Sequence, residues 1–376
     1  MVCGVCNAQD TGIRSQLQRA YVLGWDDDME GAEAILSDIS EEDILAEDDS
    51  TKYLFYYCKL STSSPEEPIS ELLLQYIDKA ITLRETSIGI YSSEYLELLW
   101  VKGDFYELRG DVEQAIRTYE KGIVTGQRLL SSGDMASRYW FGTIMADLGR
   151  LYEQKGYERE LITLYNNSFN LLADYYDEDE VSTLVPLTSL GTYYYMQGKY
   201  EEALETYNRQ LEYITANGGQ GTRGHTDCLY FKANQLSKLG RISEAVQLYD
   251  EAAGILKEKM AAADSHYDEE KESLELIYGN WYIMLATSGM GEEAAGIEPT
   301  LIECLGDDPE AAASAFYGVA RFFYEKADYA TALVYIEKAA PYLEQLGEEE
   351  REVINRCKFL IRQGLDSYGE EKTERH

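Results

Sequence analysis

The sequence predicts an all-α fold, a right-handed superhelical solenoid of stacked antiparallel helix pairs, and three observations predict it. Between Leu148 and Tyr249 the chain repeats with a step of 42 residues: Leu148 recurs as Leu190, Gly149 as Gly191, Tyr152 as Tyr194, Gly156 as Gly198 and Gly240, and Tyr165 as Tyr207 and Tyr249. A fixed step of this size marks an array of helical hairpins, each burying its apolar flank on the next. No strand-like alternation of any length is present. The hydrophobic fraction of 45% over 376 residues is ample for a core, and by length alone suggests two or three domains. The repeat overrides that count, because such an array grows without a single central core.

The elements follow in chain order. Residues 1–10 read as an irregular start or the remnant of a leader. Residues 11–346 read as about eight hairpins. Ala32-x-x-x-Leu36-x-x-Ile39 is the second helix of the first hairpin. The next uses Tyr53 to Lys59 and Leu72 to Ala80, separated by the breaker-rich Ser61-Thr62-Ser63-Ser64-Pro65. Leu99, Gly103, Tyr106, Gly110, Val112, Ala115 and Tyr119 keep every small position of the pattern. The clearest unit is Leu187-x-x-Leu190-Gly191-x-x-Tyr194, then Gly198-Lys199-Tyr200-x-x-Ala203-x-x-x-Tyr207.

Ala233, Gly240, Ala245, Tyr249 and Ala252 form the following unit, with Lys232 where a leucine is expected; Leu161 stands where Ala203 stands one period later. Looser or shifted packing is expected at both places. Tyr278 to Leu301 is a degraded unit carrying Gly289 and Ala294, and Phe316 to Ala339 keeps the pattern with alanines for glycines. Pro309 follows Asp308 just inside a helix start, where a missing N–H costs nothing. Val353, Ile354, Cys357, Leu360 and Ile361 share one helix face, so residues 347–366 form a capping helix ahead of a polar tail, 367–376.

The central unit resembles a tetratricopeptide repeat. The resemblance implies that large residues of the first helix pack on the second while Gly191 and Ala203 let the backbones approach. The step of 42 exceeds the family's usual length of about 34 residues by about two helical turns. Thr215 and Lys257 stand where proline often ends the second helix, so one more turn in each helix fits. Long repeats of this kind are similar to those of kinesin light chains.

Function follows as recognition. The resemblance implies a concave face carrying Val185, Thr188, Thr192, Tyr195 and Met196 in the central unit. Equivalent positions are Trp100, Asp104 and Glu107; Arg150 and Glu153; Tyr230 and Asn234; and Tyr317, Arg321 and Tyr324. Tyrosine supplies contact area and a polar tip at low entropic cost, although Tyr194 and Tyr207 are expected in the core. Some members of the family grip a partner's C-terminal carboxylate with Lys and Asn. Asn234 matches one such position, but Trp100, Ala146, Thr188, Tyr230, Gly279 and Tyr317 occupy the lysine site, which disfavours that clamp. The expected function is a non-enzymatic scaffold for a peptide or protein segment. The alternative is the sensor portion of a signalling system whose effector lies on another chain.

Charge bounds the partner. With 33 Lys and Arg against 69 Asp and Glu, the formal net charge is −36, which opposes nucleic acid and anionic lipid and favours a basic peptide or protein. Most of these carboxylates read as solvated helix faces. No apolar stretch approaches the roughly 20 residues needed to span a membrane.

Other patterns point to no cofactor, metal or catalytic group. Gly219-Gln220-Gly221-Thr222-Arg223-Gly224 matches G-x-G-x-x-G, but without a preceding strand it reads as an inter-repeat loop. Asp26, Asp28, Glu30 and Gly31 imitate half of a calcium loop whose twelfth position is Ser37 rather than glutamate. His225, His266 and His376 share no ligand spacing. Cys58, Cys228, Cys304 and Cys357 read as small buried thiols. Cys3-Gly4-Val5-Cys6 lacks a second pair or a redox fold around it; with Cys6-Asn7-Ala8 before Gln9 it is similar to the end of a signal peptide, favouring export to the periplasm or beyond over a cytoplasmic location.

Overall fold

The computed structural model describes residues 12–25, 29–45, 47–61, 71–175, 183–262, 267–306 and 308–373. Among them are eighteen α-helices and no β-strand. The first nine are α1 (Ile13–Trp25), α2 (Met29–Ser37), the short α3 (Glu41–Leu45), α4 (Asp49–Ser61), α5 (Glu71–Leu83), α6 (Ser93–Leu108), α7 (Val112–Ser131), α8 (Arg138–Lys155) and α9 (Glu158–Leu172). Then come α10 (Val185–Met196), α11 (Tyr200–Ala216), α12 (Arg223–Lys238), α13 (Ile242–Ala261), α14 (Tyr267–Thr287), α15 (Gly291–Cys304), α16 (Pro309–Glu325), α17 (Tyr329–Ala339) and α18 (Glu348–Thr373). The chain divides into two compact units at Ser189 and Leu190, within α10.

In the first unit α1 packs on α2, α4 on α5, α6 on α7 and α8 on α9. Successive pairs touch through α5 on α6 and α7 on α8, while the first helices α6 and α8 also meet. The second unit repeats the scheme. There α12 packs on α13, α14 on α15 and α16 on α17; α11 joins α12, and the first helices α12, α14 and α16 lie in sequence. One apolar core runs through this unit from Leu204 to Ile361, where α18 covers the last pair. That terminal helix extends to Thr373, beyond the residue 366 at which the apolar pattern stops.

Short polar side chains start several of these helices by accepting the N–H groups that a first turn leaves without partners. Ser92 accepts from Tyr95 N, Asp111 from Gln114 N, Thr222 from His225 N, and Asp328 from Thr331 N. Asp308 accepts from Glu310 N and Ala311 N, with Pro309 in the first turn, as its sequence implies. The helices α11 and α13 run through Thr215 and Lys257 without a break.

The repeated small and large residues interlock. At Gly103 an added Cβ would stand 2.1 Å from Cε1 of Tyr119, and at Gly191 it would stand 2.5 Å from Cζ of Tyr207. At Gly149 the nearest atom of Tyr165 is 3.0 Å away, so the pair carrying Leu161 is the least tightly locked of the three. Leu161, in place of the small residue, is itself fully buried. Tyr119, Tyr165, Tyr207 and Tyr249 are all buried. Tyr194 departs from the expectation: it is half-buried, and its neighbour Tyr193 is the buried ring.

The degraded unit turns out to be a reciprocal exchange. Seven residues before the turn glycine, where Gly191 precedes Gly198 and Ala233 precedes Gly240, stands Tyr282 before Gly289. Four residues after the small residue of the second helix, where Tyr207 follows Ala203, stands Glu298 after Ala294. The large ring has moved to the first helix. Its hydroxyl donates to Glu298 Oε2 at 2.8 Å, and Lys338 Nζ reaches the same carboxylate at 2.5 Å. The hairpin thus keeps its filled volume and gains a polar tie to α17.

Between paired helices the chain turns through a left-handed residue, at Gly110, Gly156, Gly198, Gly240 and Gly289, with φ between 71° and 80°. Only glycine enters this region without a Cβ penalty. The equivalent position after α16 is Ala327, at φ 58°. An L-residue there costs about 1–2 kcal/mol, part of which a glycine returns as chain entropy in the unfolded state. Ala327→Gly should therefore raise stability by roughly 0.5–1 kcal/mol, read as a higher urea midpoint; a lower midpoint would refute the strain.

Candidate functional site

Polar and aromatic residues gather on the first helices of both units, in different states. In the first unit Trp100, Asp104 and Glu107 on α6 meet Arg150 on α8. Arg150 Nη2 lies 2.6 Å from Glu107 Oε2 and 3.4 Å from Asp147 Oδ1. The Trp100 indole N–H donates to Asp147 Oδ2 at 2.8 Å, and its ring lies against Trp140 with centroids 5.1 Å apart. Tyr119 OH donates to Glu107 Oε1 at 2.9 Å.

Burial pushes the Asp104 and Glu107 carboxyls above their ordinary range, with Asp147 adding to both and Arg150 opposing. Glu153 is raised by burial alone. Most of these groups satisfy one another, so the cluster ties α6 to α8 before it offers anything to a partner. Asp147 and Trp140 complete it. Neither was legible from repeat alignment, which places Ala146, not Asp147, at the position equivalent to Trp100.

In the second unit the first helices enclose a cleft of about 340 Å³. It is lined by Tyr195 of α10, Tyr230 and Asn234 of α12, and Asn280, Ile283 and Thr287 of α14, with Tyr249 at its floor. Asn280 Nδ2 donates to the Tyr230 hydroxyl at 2.8 Å, and Tyr249 OH donates to Asn234 Oδ1 at 2.5 Å. Burial raises the Tyr230 phenol above its ordinary value. Gln235 also lines the cleft while only 2% exposed. Its Nε2 donates to Phe231 O at 3.2 Å, and its buried Oε1 has no hydrogen-bond partner among the described residues. An orphaned buried acceptor costs about 1–3 kcal/mol, a cost that a ligand donor removes.

Tyr195, Tyr230 and Asn234 are therefore brought together, and Trp100, Asp104, Glu107 and Arg150 form their own cluster with Glu153 on the same helix as Arg150. Tyr317, Arg321 and Tyr324 on α16 line neither. Arg321 Nε pairs with Glu325 Oε1 at 3.0 Å, and the Tyr324 ring lies 5.8 Å from that of Tyr329. Gln235, Lys238 and Asn280 were missed. Lys238 lies one helical turn beyond Asn234, and that spacing was the available signal.

The other sequence patterns resolve locally. Of the Gly219 to Gly224 motif only residues 219–222 are loop, following α11 and not a strand, while Arg223 and Gly224 open α12; Gly221 N donates to His225 Nδ1 at 3.2 Å. His225 is buried, and burial lowers its pKa against the opposing charge of Glu251. Cys228, one turn along, donates from Sγ to Tyr207 O, and burial pushes its thiol up to about 12. A thiol held protonated in this way is a poor nucleophile. Cys58 and Cys357 are buried like Cys228, whereas Cys304 is only half-buried, a correction to the expectation of four buried thiols. Among the described residues no three His, Cys, Asp or Glu side chains converge to hold a metal, and no helix is long and apolar enough to cross a membrane. The pairs at Cys3 and Cys6 and at Asp26 and Asp28, with His266 and His376, lie outside the described residues.

Comparison with known proteins places the repeats. Residues 141–215 match the sequence profile of the tetratricopeptide repeat. That segment carries tetratricopeptide repeats. No curated protein sequence matches it at a significant level. The apo form of RapI is similar over 94% of this chain and 98% of its own, with 15% identity and a TM-score of 0.55. The apo form of the quorum sensor NprR from B. thuringiensis is similar over 89% of each chain, with 14% identity and a TM-score of 0.50. Kinesin light chain-type TPR-like repeats from Podosopora anserina match 66% of this chain and 96% of theirs, with 14% identity and a TM-score of 0.39. At these identities RapI and NprR share the helical-repeat fold with this chain.

Proposed function

We propose that this tetratricopeptide-repeat chain is a non-enzymatic interaction scaffold that holds a peptide or protein segment in the cleft of residues 190–376. The carrying observation is the combination inside that cleft of tyrosine rings, the amides Asn234 and Asn280, and the unpartnered Oε1 of Gln235. Amides offer a donor and an acceptor side by side, which matches the alternating N–H and C=O of an extended backbone. Aromatic rings add contact area at little entropic cost. The first-unit cluster, with three carboxylates around one arginine, supports an auxiliary contact with basic segments.

The test is affinity capture followed by mass spectrometry with Tyr195→Ala and Tyr230→Ala. A partner held by the wild type is expected to be lost from both variants, at least tenfold by quantitation, while circular dichroism stays unchanged. Retention by both variants would overturn the reading. A second reading, the sensor portion of a signalling system with its effector on another chain, draws support from the fold shared with the quorum sensor NprR. It uses the same cleft and differs in what the captured species is: a short free peptide rather than a segment of a larger protein.

A further inference from the structure

The cleft is unlike the rest of this acidic chain in its charge. None of its lining residues is a carboxylate, and its one charged side chain is Lys238, in a sequence of net charge −36. Lys238 makes no ion pair among the described residues; its Nζ sits 6.0 Å from the centroid of the Tyr195 ring. The ammonium is left as the site's electrostatic marker.

A second hollow adjoins the first, sharing Asn280 and Ile283 with it. Its walls are apolar at Leu276, Ala311 and Ala315, but its charged groups are Glu272, Glu275 and Asp308. Burial raises the Glu275 carboxyl, Lys271 opposes this, and Asp308 and Glu272 raise it further. Lys271 Nζ lies 3.7 Å from Glu275 Oε1, one cation against the three carboxylates that line the hollow, so the hollow favours a further positive group. The two hollows thus present opposite signs along one path.

Helix geometry gives the length of that path. Tyr230 and Asn280 touch across α12 and α14. Lys238 lies two turns beyond Tyr230, and Glu272 two turns before Asn280, each run being about 12 Å at about 1.5 Å per residue. The poles are then roughly 24 Å apart, the span of about seven extended residues.

We infer that the groove takes an extended peptide segment of bipolar charge, with an Asp or Glu side chain or terminal carboxylate at Lys238 and a Lys, Arg or amino terminus at Glu272, Glu275 and Asp308, about seven residues away. This rests on the proposed peptide-binding role of the same cleft. It sets aside, for this site, the uniformly basic partner that net charge alone favours. Gln235 supports it from the Lys238 side of the path, three residues before that lysine, where its spare acceptor suits a backbone N–H.

The test uses the full chain and a displayed library of random eleven-residue peptides fused at both ends, so that only side chains carry the charge. Enriched sequences are expected to pair an acidic with a basic position about seven residues apart. A synthetic peptide of the enriched sequence should bind Lys238→Glu at least tenfold more weakly by fluorescence anisotropy, and exchange of its acidic residue for lysine should recover the loss. Lys238 is solvent-exposed, so the variant is expected to fold. Enrichment without a charge pair, or peptides indifferent to Lys238→Glu, would overturn the bipolar ligand while leaving peptide binding intact. No enrichment of any sequence would overturn both.

Discussion

Replacing Tyr207 with alanine is expected to destabilise the unit of residues 190–376 by about 3–5 kcal/mol, the range for removing a fully buried aromatic ring. The ring is 1% exposed, stacks on Phe231 with centroids 5.4 Å apart, and fills the space that the missing side chain of Gly191 leaves open. The two positions should be coupled. In the wild type Gly191→Ala drives a methyl group into the tyrosine ring and is expected to destabilise. After Tyr207→Ala the same change meets no ring, and only the helix-propensity gain remains, about 1 kcal/mol toward greater stability. A change of sign between the two backgrounds, measured by urea unfolding followed by circular dichroism, is the expected result. Additive effects would mean that the glycine and the tyrosine are not a unit.

The second large effect is expected at Gly103. Valine there would place its Cβ 2.1 Å from Cε1 of Tyr119, whose ring is fully buried and whose hydroxyl is tied to Glu107. Overpacking costs about 1–3 kcal/mol, and losing a hydrogen bond to a charged group adds about 1.5–3. A total near 3–5 kcal/mol is expected. The control is Gly254→Val in α13, where an added Cβ meets nothing within 4 Å. That change should be close to neutral. Equal losses at the two sites would show that the cost belongs to the residue type and not to the Tyr119 contact.

How far the sequence could be read depended on whether a residue's role was fixed within its own repeat. The hairpins were legible because Gly191 and Tyr207, or Gly103 and Tyr119, answer each other at constant spacing inside one unit. The Tyr282 and Glu298 pair was not, since matching letter by letter records two mismatches where packing records one compensated exchange. Ala327 was legible in place, seven residues after Ala320 as Gly198 is after Gly191, but no property of alanine announces its left-handed backbone. The cleft was half legible. Tyr195, Tyr230 and Asn234 fall on repeat-equivalent positions, while Asn280 occupies a position equivalent to Phe231 and enters through the offset between α12 and α14. Lys238 stands one period after Met196, so the repeat marks its place on the concave face but not its charge. On α6 and α8 repeat position brings Trp100, Asp104, Glu107 and Arg150 to one face, but Asp147 and Tyr119 occupy the polar groups that repeat position alone leaves free.

The exchange at Tyr282 and Glu298 also limits how this array can be edited. A hairpin copied from elsewhere in the chain and spliced in place of α14 and α15 would bring a small residue and a ring in the usual order, and would strip Lys338 of its carboxylate on the neighbouring hairpin. The modules are therefore not swappable cassettes at this point in the chain. Any recombination that crosses this point must carry α14 to α17 as one heritable block.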